Sequence, residues 1–364
     1  MAPGRALLIF GPRRIGKTTL LCAYLKTRAD KRVVSFVGDD ILVREIFGSE
    51  DRTRILSYVA AYDIIAIDEA QLIPNIGRAA KMIVDAYPEK RLILTGSSSF
   101  ELYGQVGEPL TGRHFSMALI PLAQDELGLN RLELLGGRSD FLVYGAYPEV
   151  LTADDHESKK RLLRELVSSY LFRDILTLNK VKSPKLAIDT ARALAYQIGS
   201  EVSLSEIARL VKTDHKTVAR YIDVLEKMFI IKRVGGFSRN MRNEITKKSK
   251  YYFLDLGVRN AVIENFNPIG ARDDVGALWE NFVFMELYKK SVIADRTGDR
   301  FYFWRTHTGQ EIDIIREREG VLLGIESKWR KKSTVPKTWR TAYPNAEFLC
   351  ITTDNFFDTL ERIG

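Results

Sequence analysis

Short apolar runs separated by helical segments fill the N-terminal part of the chain. The runs 6–10, 32–37, 63–67 and 91–95 are mainly aliphatic, a pattern typical of strands that are buried on both faces of a parallel sheet. The first run is followed closely by 19–25, whose apolar residues suit a helix. The pattern predicts a parallel α/β sheet with helices at the N-terminus.

The pattern changes in the middle of the chain. Apolar residues follow helical spacing over 157–176, which predicts a packing helix between domains. Two shorter helices are predicted at 204–211 and 214–225, with Ser203 and Asp214 as their N-caps. Because these two helices meet across a tight turn, they predict a helix-turn-helix.

Strands and one long helix follow the paired helices. The runs 229–234 and 251–254 can pair as a hairpin, which would make the helix-turn-helix a winged one. A helix over 273–290 precedes two further strands, 311–315 and 321–328. The C-terminal part is therefore predicted to be a second α/β region.

Composition narrows the class of protein. The chain has 364 residues, 45% of them hydrophobic and 28% charged, which suits a globular protein of two or three domains. Cys22 and Cys350 are too few for a disulfide framework, and no Cys/His pair has zinc-ligand spacing. We find no apolar run of the ~18–20 residues that cross a bilayer and no cleavable leader, so we expect a cytoplasmic protein without a membrane partner. The net charge of +8 permits a polyanionic partner.

The loop after the first strand has a phosphate-binding sequence. Gly11 to Thr18 follows the pattern G-x-x-x-x-G-K-T between a strand and a helix. Backbone amides of such a loop surround phosphate oxygens, and the helix N-terminus adds positive charge. Lys17 would reach the β- and γ-phosphates of ATP, and the Thr18 hydroxyl would bind Mg²⁺. The candidate nucleotide-binding residues of this loop are Gly11, Pro12, Arg13, Arg14, Ile15, Gly16, Lys17, Thr18 and Thr19. Whether Arg13 and Arg14 face solvent or nucleotide stays open.

Two further strands end in polar residues that suit the same site. The run 63–67 ends in Asp68 and Glu69; in a P-loop ATPase the first would hold the Mg²⁺ shell and the second would polarise the attacking water. The run 91–95 places Thr95 and Ser97 where a γ-phosphate sensor would stand, and a loop capped by hydroxyls is the alternative. Together these motifs predict an ATPase.

Arg113, in the sequence Thr-Gly-Arg, has two interpretations. It could act on a neighbouring subunit as an arginine finger, which stabilises charge in the transition state. It could instead form a structural salt bridge.

Basic residues are concentrated on the predicted second helix and on the hairpin that follows. His215, Lys216 and Arg220 would face outward on the helix, where a groove-reading helix presents them. The hairpin carries Lys232, Arg233, Arg239, Arg242, Lys247, Lys248 and Lys250. Such clusters suit phosphate contacts with DNA, although winged helices also dock proteins.

Acidic residues in the C-terminal part have the composition of a nuclease site. A turn at 319–320 would place Asp313 opposite Glu326, and like charges in that position repel unless a metal ion lies between them. Glu280 would add a carboxylate from the 273–290 helix, and Lys328 would act at the scissile phosphate. Whether such a site cleaves stays open.

A basic segment follows the second of these strands. It contains Arg330, Lys331 and Lys332, interleaved with Trp329 and Trp339. The segment could line a nucleic-acid channel or form a solvated face.

The order of motifs resembles one family. GPRRIGKTTLL, IIAIDEAQ, LILTGSSS, LTGRHFSMALIPL, YGAYPEVL, YLFRDIL, YYFLDLGVRNAV, ENFVFMEL and EIDIIRE…IESKW are similar to prokaryotic AAA-like ATPases. The C-terminal domain of those proteins, of unknown function, has a restriction-endonuclease-like PD-(D/E)xK core. The resemblance implies an ASCE-type ATPase core and nuclease-like positions at Glu280, Asp313, Glu326 and Lys328. It also likens the box around Arg113 to that of signal-transduction ATPases, which weakens the arginine-finger interpretation.

The expected fold is therefore a multidomain α/β chain. Its parts are an AAA-like P-loop ATPase domain (1–150), a helical linker (151–185), a winged helix-turn-helix (186–262) and a PD-(D/E)xK nuclease-like domain (263–364).

Two functions fit these parts. In the first, ATP hydrolysis drives remodelling of, or movement on, duplex or branched DNA by a ring-shaped homo-oligomer such as a hexamer. In the second, a slow ATP-dependent signalling switch gates a DNA-binding or nuclease output. ATP and Mg²⁺ are the expected cofactors in both.

Overall fold

The computed structural model describes residues 4–97, 110–169, 183–238, 248–294, 296, 298–331 and 333–363. The described residues fall into two compact units. The first ends at Ile120 and includes the short segment Lys227–Phe229; the second comprises Pro121–Glu226 and the chain from Ile230 onward.

The first unit is an α/β sheet with helices. Its strands are β1 (Ala6–Phe10), β2 (Val33–Val37), β3 (Ile64–Asp68), β4 (Arg91–Gly96) and β5 (His114–Ala118). Its helices are α1 (Lys17–Lys26), α2 (Ile41–Phe47), α3 (Arg52–Val59) and α4 (Ile76–Ala86).

The five described strands of this unit are parallel, in the order β2-β3-β4-β1-β5. Each of the central strands buries side chains on both faces: Ile65 of β3 belongs to one apolar cluster and Ile64 to another. This arrangement explains the continuous apolar runs and confirms the predicted parallel sheet. Strand β4 lies between β1 and β3, so the polar residues that end these three strands meet at one edge of the sheet.

Strand β5 is not evident in the apolar pattern. Its residues are half-buried or exposed, as in Phe115 and Met117, because it pairs only with β1 and forms an edge of the sheet. An edge strand lacks the apolar run by which we recognise the others.

The second unit combines helices with a mixed sheet. Its helices are α5 (Arg131–Tyr144), α6 (Pro148–Leu151), α7 (His156–Ser169), α8 (Pro184–Tyr196), α9 (Leu204–Leu210), α10 (His215–Lys227), α11 (Leu256–Val262), α12 (Val275–Ile293), α13 (Lys337–Ala342) and α14 (Phe356–Ile363). Its strands are β6 (Ile231–Gly236), β7 (Ser249–Phe253), β8 (Arg300–Arg305), β9 (Glu311–Arg318), β10 (Val321–Ser327) and β11 (Glu347–Ile351).

The predicted caps and hairpins of this unit are confirmed. Ser203 Oγ accepts a hydrogen bond from Glu206 N, and Asp214 caps α10 through Thr217 N. Strands β6 and β7 pair antiparallel, and so do β9 and β10. The β9–β10 turn has positive φ at both Glu319 and Gly320 (51° and 81°), which is the geometry of a type I′ hairpin.

The sheet of the second unit crosses the predicted boundary at residue 262. Its order is β11-β10-β9-β8-β6-β7 among the described strands. Parallel pairing of Gly235 with Tyr302 and of Gly236 with Phe303 joins the β6–β7 hairpin to the C-terminal strands. The hairpin that we predicted as a wing is thus part of the C-terminal sheet.

The break between the units lies before the predicted boundary at residue 150. Helix α5 packs on α11 of the second unit, where the Asn260 amide donates to the backbone carbonyls of Leu142 and Val143 at 3.0 and 2.9 Å. Buried hydrogen bonds of this kind assign α5 to the second unit.

Across the described ranges, every helix is too short or too polar to cross a bilayer.

Candidate functional site

The P-loop lies between β1 and α1. Gly16, the residue before the helix, has φ 95°, a left-handed conformation that glycine adopts without strain. Lys17 opens the helix with its side chain turned back into the loop, where Nζ donates to the carbonyls of Gly11 (2.9 Å) and Pro12 (2.8 Å). The loop therefore holds a buried ammonium next to the N-terminus of α1, where backbone amides point toward an anion.

Of the other predicted loop residues, Gly11, Pro12 and Ile15 are buried, Arg13 is half-buried, and Arg14, Thr18 and Thr19 are exposed. Arg14 has φ 60°.

Thr18 and Asp68 meet although they are far apart in sequence. The Thr18 hydroxyl donates to Asp68 Oδ2 at 2.6 Å. Hydroxyl and carboxylate oxygens are the hard ligands that Mg²⁺ prefers, so this pair fits the predicted metal shell. The residues that would hold Mg²⁺ are therefore adjacent, at the carboxyl edge of the sheet.

Thr95 contacts the Asp68 carboxylate directly, whereas Ser97 contacts the Gln71 amide. Thr95 is buried; its hydroxyl donates to Asp68 Oδ1 and accepts from Glu69 N at 3.2 Å. Ser97 is also buried, and its Oγ accepts a hydrogen bond from the Gln71 amide at 3.0 Å. Both hydroxyls lie within the polar network of the site.

Gln71 is a site residue that we did not predict. Its Nε2 donates to Glu69 Oε2 at 2.5 Å as well as to Ser97. The sequence contained a signal, since Gln71 follows Asp68 and Glu69 in the short 3₁₀ helix Ala70–Leu72. One turn of 3₁₀ helix brings the amide back toward the carboxylate.

Arg113 lies at the amino ends of the strands, opposite the carboxyl ends where the P-loop lies. It precedes β5, and its carbonyl accepts a hydrogen bond from Ala6 N at the start of β1, whereas the P-loop follows the end of β1. Its Nε is 3.0 Å from Asp85 Oδ1, with both side chains partly exposed. Within this chain Arg113 forms the salt bridge that was the alternative interpretation, and its role as an arginine finger on a neighbouring subunit stays a prediction.

A second polar site lies in the second unit, between α12 and strands β7, β9 and β10. The backbone amide of Ser327 donates to Asp313 Oδ2 at 2.8 Å, and pairing of Ile314 with Ile325 gives the predicted register. Glu280, on α12, accepts a hydrogen bond from the Tyr252 hydroxyl at 2.7 Å.

Lys250 is buried and does not belong to an exposed basic surface. We placed it on a solvent-facing basic hairpin, but its side chain is 1% exposed, with Nζ 3.0 Å from Glu280 Oε1 and 2.6 Å from Glu311 Oε1. Strand β7 has all five of its residues buried, so a cation there must face the acidic side chains of neighbouring elements.

Burial and charge shift the pKa values of this cluster. Burial raises the pKa of Glu280 to about 7, with the charge of Asp313 adding to burial and Lys250 opposing it. Burial and Asp313 also raise the pKa of Glu326. Burial opposes the charge of Lys250, but the surrounding carboxylates outweigh it and raise its pKa. Lys250 is therefore an ammonium at neutral pH.

The predicted DNA-binding residues differ in exposure. His215, Lys216, Lys248, Arg330 and Lys331 are exposed, and Arg220 is half-buried. Arg239, Arg242, Lys247 and Lys332 lie outside the described residues.

Trp339 cannot stack on a nucleotide in this structure. It is 0% exposed and packs against the rings of Trp304 and Tyr343, so its proposed place in a channel is wrong. Trp329 is half-buried, with its ring 5.7 Å from that of Trp279.

Three protein families match parts of this chain, and the first of them covers the N-terminal unit. Residues 3–128 match a family described as an AAA domain. Residues 138–268 and 275–359 match two families described as domains of unknown function, DUF8612 and DUF4143. The N-terminal unit is thus a parallel-sheet α/β domain like that of AAA ATPases, followed by a second unit with a mixed sheet.

Relatives extend over most of the chain. An uncharacterized protein of Mycobacterium tuberculosis is 27% identical over 345 residues, covering 92% of this chain and 73% of that protein. An uncharacterized protein of Methanocaldococcus jannaschii is 22% identical over 335 residues, covering 86% and 73%. Among solved structures, AMPPCP-bound DnaA from Aquifex aeolicus is 20% identical, covers 61% of this chain and 81% of its own, and has a TM-score of 0.30.

Proposed function

We propose that this protein binds ATP with Mg²⁺ at the P-loop and hydrolyses it. The observation that carries the proposal is the 2.6 Å contact between Thr18 Oγ1 and Asp68 Oδ2. It brings a hydroxyl and a carboxylate together, and Thr18 directly follows Lys17, whose ammonium lies in the loop. These are the groups that P-loop enzymes use.

Each residue has a distinct part in this proposal. Lys17 exchanges the carbonyls of Gly11 and Pro12 for phosphate oxygens, because a phosphate is the stronger acceptor. Thr18 and Asp68 would hold Mg²⁺, which when bound neutralises charge on the phosphates. Glu69 orients and polarises the attacking water.

Nucleotide binding and phosphate release test this function. Fluorescent ATP-analogue binding and inorganic phosphate release would be measured for the full chain with Mg²⁺ and with EDTA. We expect Lys17→Ala to lose binding, and Glu69→Gln to bind the analogue while turnover falls at least about a hundredfold. Lys26→Ala, at the other end of α1, is the matched control and should behave as the parent. Absence of Mg²⁺-dependent binding to the parent protein would refute the proposal.

We infer further that this protein binds DNA and that ATP binding and hydrolysis control the interaction. Helices α9 and α10 with the β6–β7 hairpin would form the winged helix-turn-helix, and the C-terminal strands the restriction-endonuclease-like core. His215 and Lys216 are exposed at the first turn of α10, the part of a recognition helix that meets base edges. Arg330 and Lys331 provide a second exposed basic pair.

The function that we favour is that of a motor: a ring-shaped homo-oligomer that remodels, or moves on, duplex or branched DNA. Exposed basic residues at two places in the second unit suit continuous contact with a duplex. The second candidate is a slow signalling switch in which ATP controls assembly, and in that case a protein could replace DNA at α10.

One experiment separates the two candidates. Phosphate release would be measured with duplex, single-stranded and four-way-junction DNA at two salt concentrations, and mass photometry with and without ATP would give the oligomeric state. The motor is supported if DNA stimulates phosphate release and this stimulation weakens as salt rises. Lys216→Ala should then reduce the stimulation, and the control Lys31→Ala should not. Slow turnover that no DNA changes, with ATP-dependent assembly, supports the switch.

A further inference from the structure

Glu280, Glu311, Asp313 and Glu326 form the carboxylate cluster of the second unit. Two lysine ammonium groups lie within it. Lys250 Nζ lies 2.6 Å from Glu311, 3.0 Å from Glu280 and 3.9 Å from Asp313. It approaches the cluster from β7, with its side chain 1% exposed.

Lys328 supplies the second ammonium. Its Nζ is 2.7 Å from Glu326 Oε1 and 3.6 Å from Asp313 Oδ2. Each of the three predicted metal ligands therefore has a lysine partner: Glu280 has Lys250, Glu326 has Lys328, and Asp313 has both.

Carboxylates this close require a positive charge. Like charges on neighbouring strands are destabilising, and a buried charge is expensive unless it is paired. A divalent cation or a lysine can supply the compensation. Here the position between α12, β7 and β9 is filled by the Lys250 ammonium.

The donor set does not fit a magnesium ion. Mg²⁺ keeps several waters and takes one or two protein carboxylates at about 2.0–2.1 Å, but the candidate oxygens are already engaged. Glu280 Oε1 is shared by Lys250 and the Tyr252 hydroxyl, and Asp313 Oδ2 accepts from Ser327 N and lies 3.6 Å from Lys328 Nζ. Over the described parts of the chain, no three Asp, Glu, His or Cys side chains form a metal-holding group. Glu326 Oε2 is buried without a hydrogen-bond partner among the described atoms, and a single oxygen does not make such a site.

We propose that the Lys250 ammonium takes the place that a divalent cation holds in a metal-dependent nuclease, so that the C-terminal cluster binds no catalytic metal and cleaves no phosphodiester bond. The cluster then ties strands β7, β9 and β10 to helix α12 through ion pairs. This inference is independent of ATP hydrolysis at the P-loop.

The test is manganese binding to the nucleotide-free protein, followed by electron paramagnetic resonance. Bound Mn²⁺ that persists in Asp68→Asn and disappears in Asp313→Asn is assigned to the C-terminal cluster. We expect none in the parent protein. Lys250→Met removes the charge and keeps most of the volume; we expect this variant to melt at a lower temperature and to gain a cluster-bound Mn²⁺ signal that the parent lacks.

Two controls make the result specific. Lys248→Met changes an exposed lysine of the same segment and should alter neither melting temperature nor Mn²⁺ binding. Lys250→Arg keeps the positive charge and should remain free of Mn²⁺ at the cluster.

Any one of three results would overturn the proposal. The first is a cluster-bound Mn²⁺ in the parent protein. The second is cleavage of supercoiled plasmid by the parent, with Mg²⁺ or Mn²⁺, that Glu326→Gln abolishes. The third is a folded Lys250→Met protein that gains no Mn²⁺ site. If Lys250→Met does not fold, the parent's Mn²⁺ binding and plasmid assay decide the question by themselves.

Discussion

The side-chain amide of Gln71 donates a hydrogen bond to the carboxylate of Glu69, with 2.5 Å between Nε2 and Oε2. The same nitrogen donates to Ser97 Oγ, at the end of β4. Glu69 itself has φ 50°, a left-handed conformation that is unfavourable for a residue with a side chain. Gln71 therefore sets the direction of the carboxylate that we propose to act on water.

Gln71→Ala is expected to slow ATP turnover about ten- to a hundredfold, because a displaced catalytic group loses alignment with the reacting atoms. Nucleotide affinity should change little, since Gln71 does not belong to the P-loop. Stopped-flow binding and phosphate release separate the two effects. Unchanged turnover, or a loss confined to affinity, would contradict the positioning role.

Arg113→Ala and Asp85→Ala are expected to lower the free energy of unfolding by less than about 1 kcal/mol each, because their salt bridge is partly exposed. ATP turnover should not change in either variant. Urea denaturation and phosphate release measure both quantities. Loss of turnover in Arg113→Ala alone would instead restore the arginine-finger interpretation.

Asp274 connects Arg259 and Arg272, with nitrogen–oxygen distances of 2.6 and 2.7 Å. Burial opposes ionisation of this carboxyl, but hydrogen bonds from Arg272 and the charge of Arg259 outweigh it and lower its pKa. A carboxyl with a lowered pKa stabilises the fold above its unfolded pKa of about 3.9 and loses that effect as pH falls.

Asp274→Asn is therefore expected to destabilise the fold by about 2 kcal/mol at pH 7, less than for a fully buried pair because the carboxyl is partly exposed. The difference from the parent protein should begin to shrink as the pH falls below about 4, the unfolded pKa, and should decrease further at lower pH. Chemical denaturation at several pH values measures it, with the exposed neighbour Asp273→Asn as control. A difference that stays constant down to pH 3 would be inconsistent with the lowered pKa.

Gly257 lies where α11 meets the end of α5. A β-carbon there would overlap the carbonyl oxygen of Tyr144, so Gly257→Ala is expected to destabilise the fold by about 1–3 kcal/mol. Gly136, within α5, has open space around its Cβ position, and Gly136→Ala should stabilise by about 0.5–1 kcal/mol. Thermal melting of both variants tests the pair; equal shifts in the same direction would contradict the packing argument.

Local patterns were sufficient for many elements. The P-loop could be identified because its spacing between a strand and a helix is a local property, and the hairpin at Glu319–Gly320 was predicted in its observed register for the same reason. The caps at Ser203 and Asp214 also depend on residues within one turn. Strand β5 was missed because its half-exposed edge position leaves no apolar run.

The sequence by itself determined which residues bear the chemistry: the lysine and threonine of the P-loop, the Asp68–Glu69 pair, and the acidic positions of the C-terminal strands. The tertiary structure alone decided what those residues meet. Lys250 enters the carboxylate cluster, and Arg113 lies away from the P-loop, because strand order in each sheet sets which distant residues become neighbours. Sequence spacing carries no record of that order, since side chains tens of residues apart are brought together by packing and pairing and not by helical or strand periodicity.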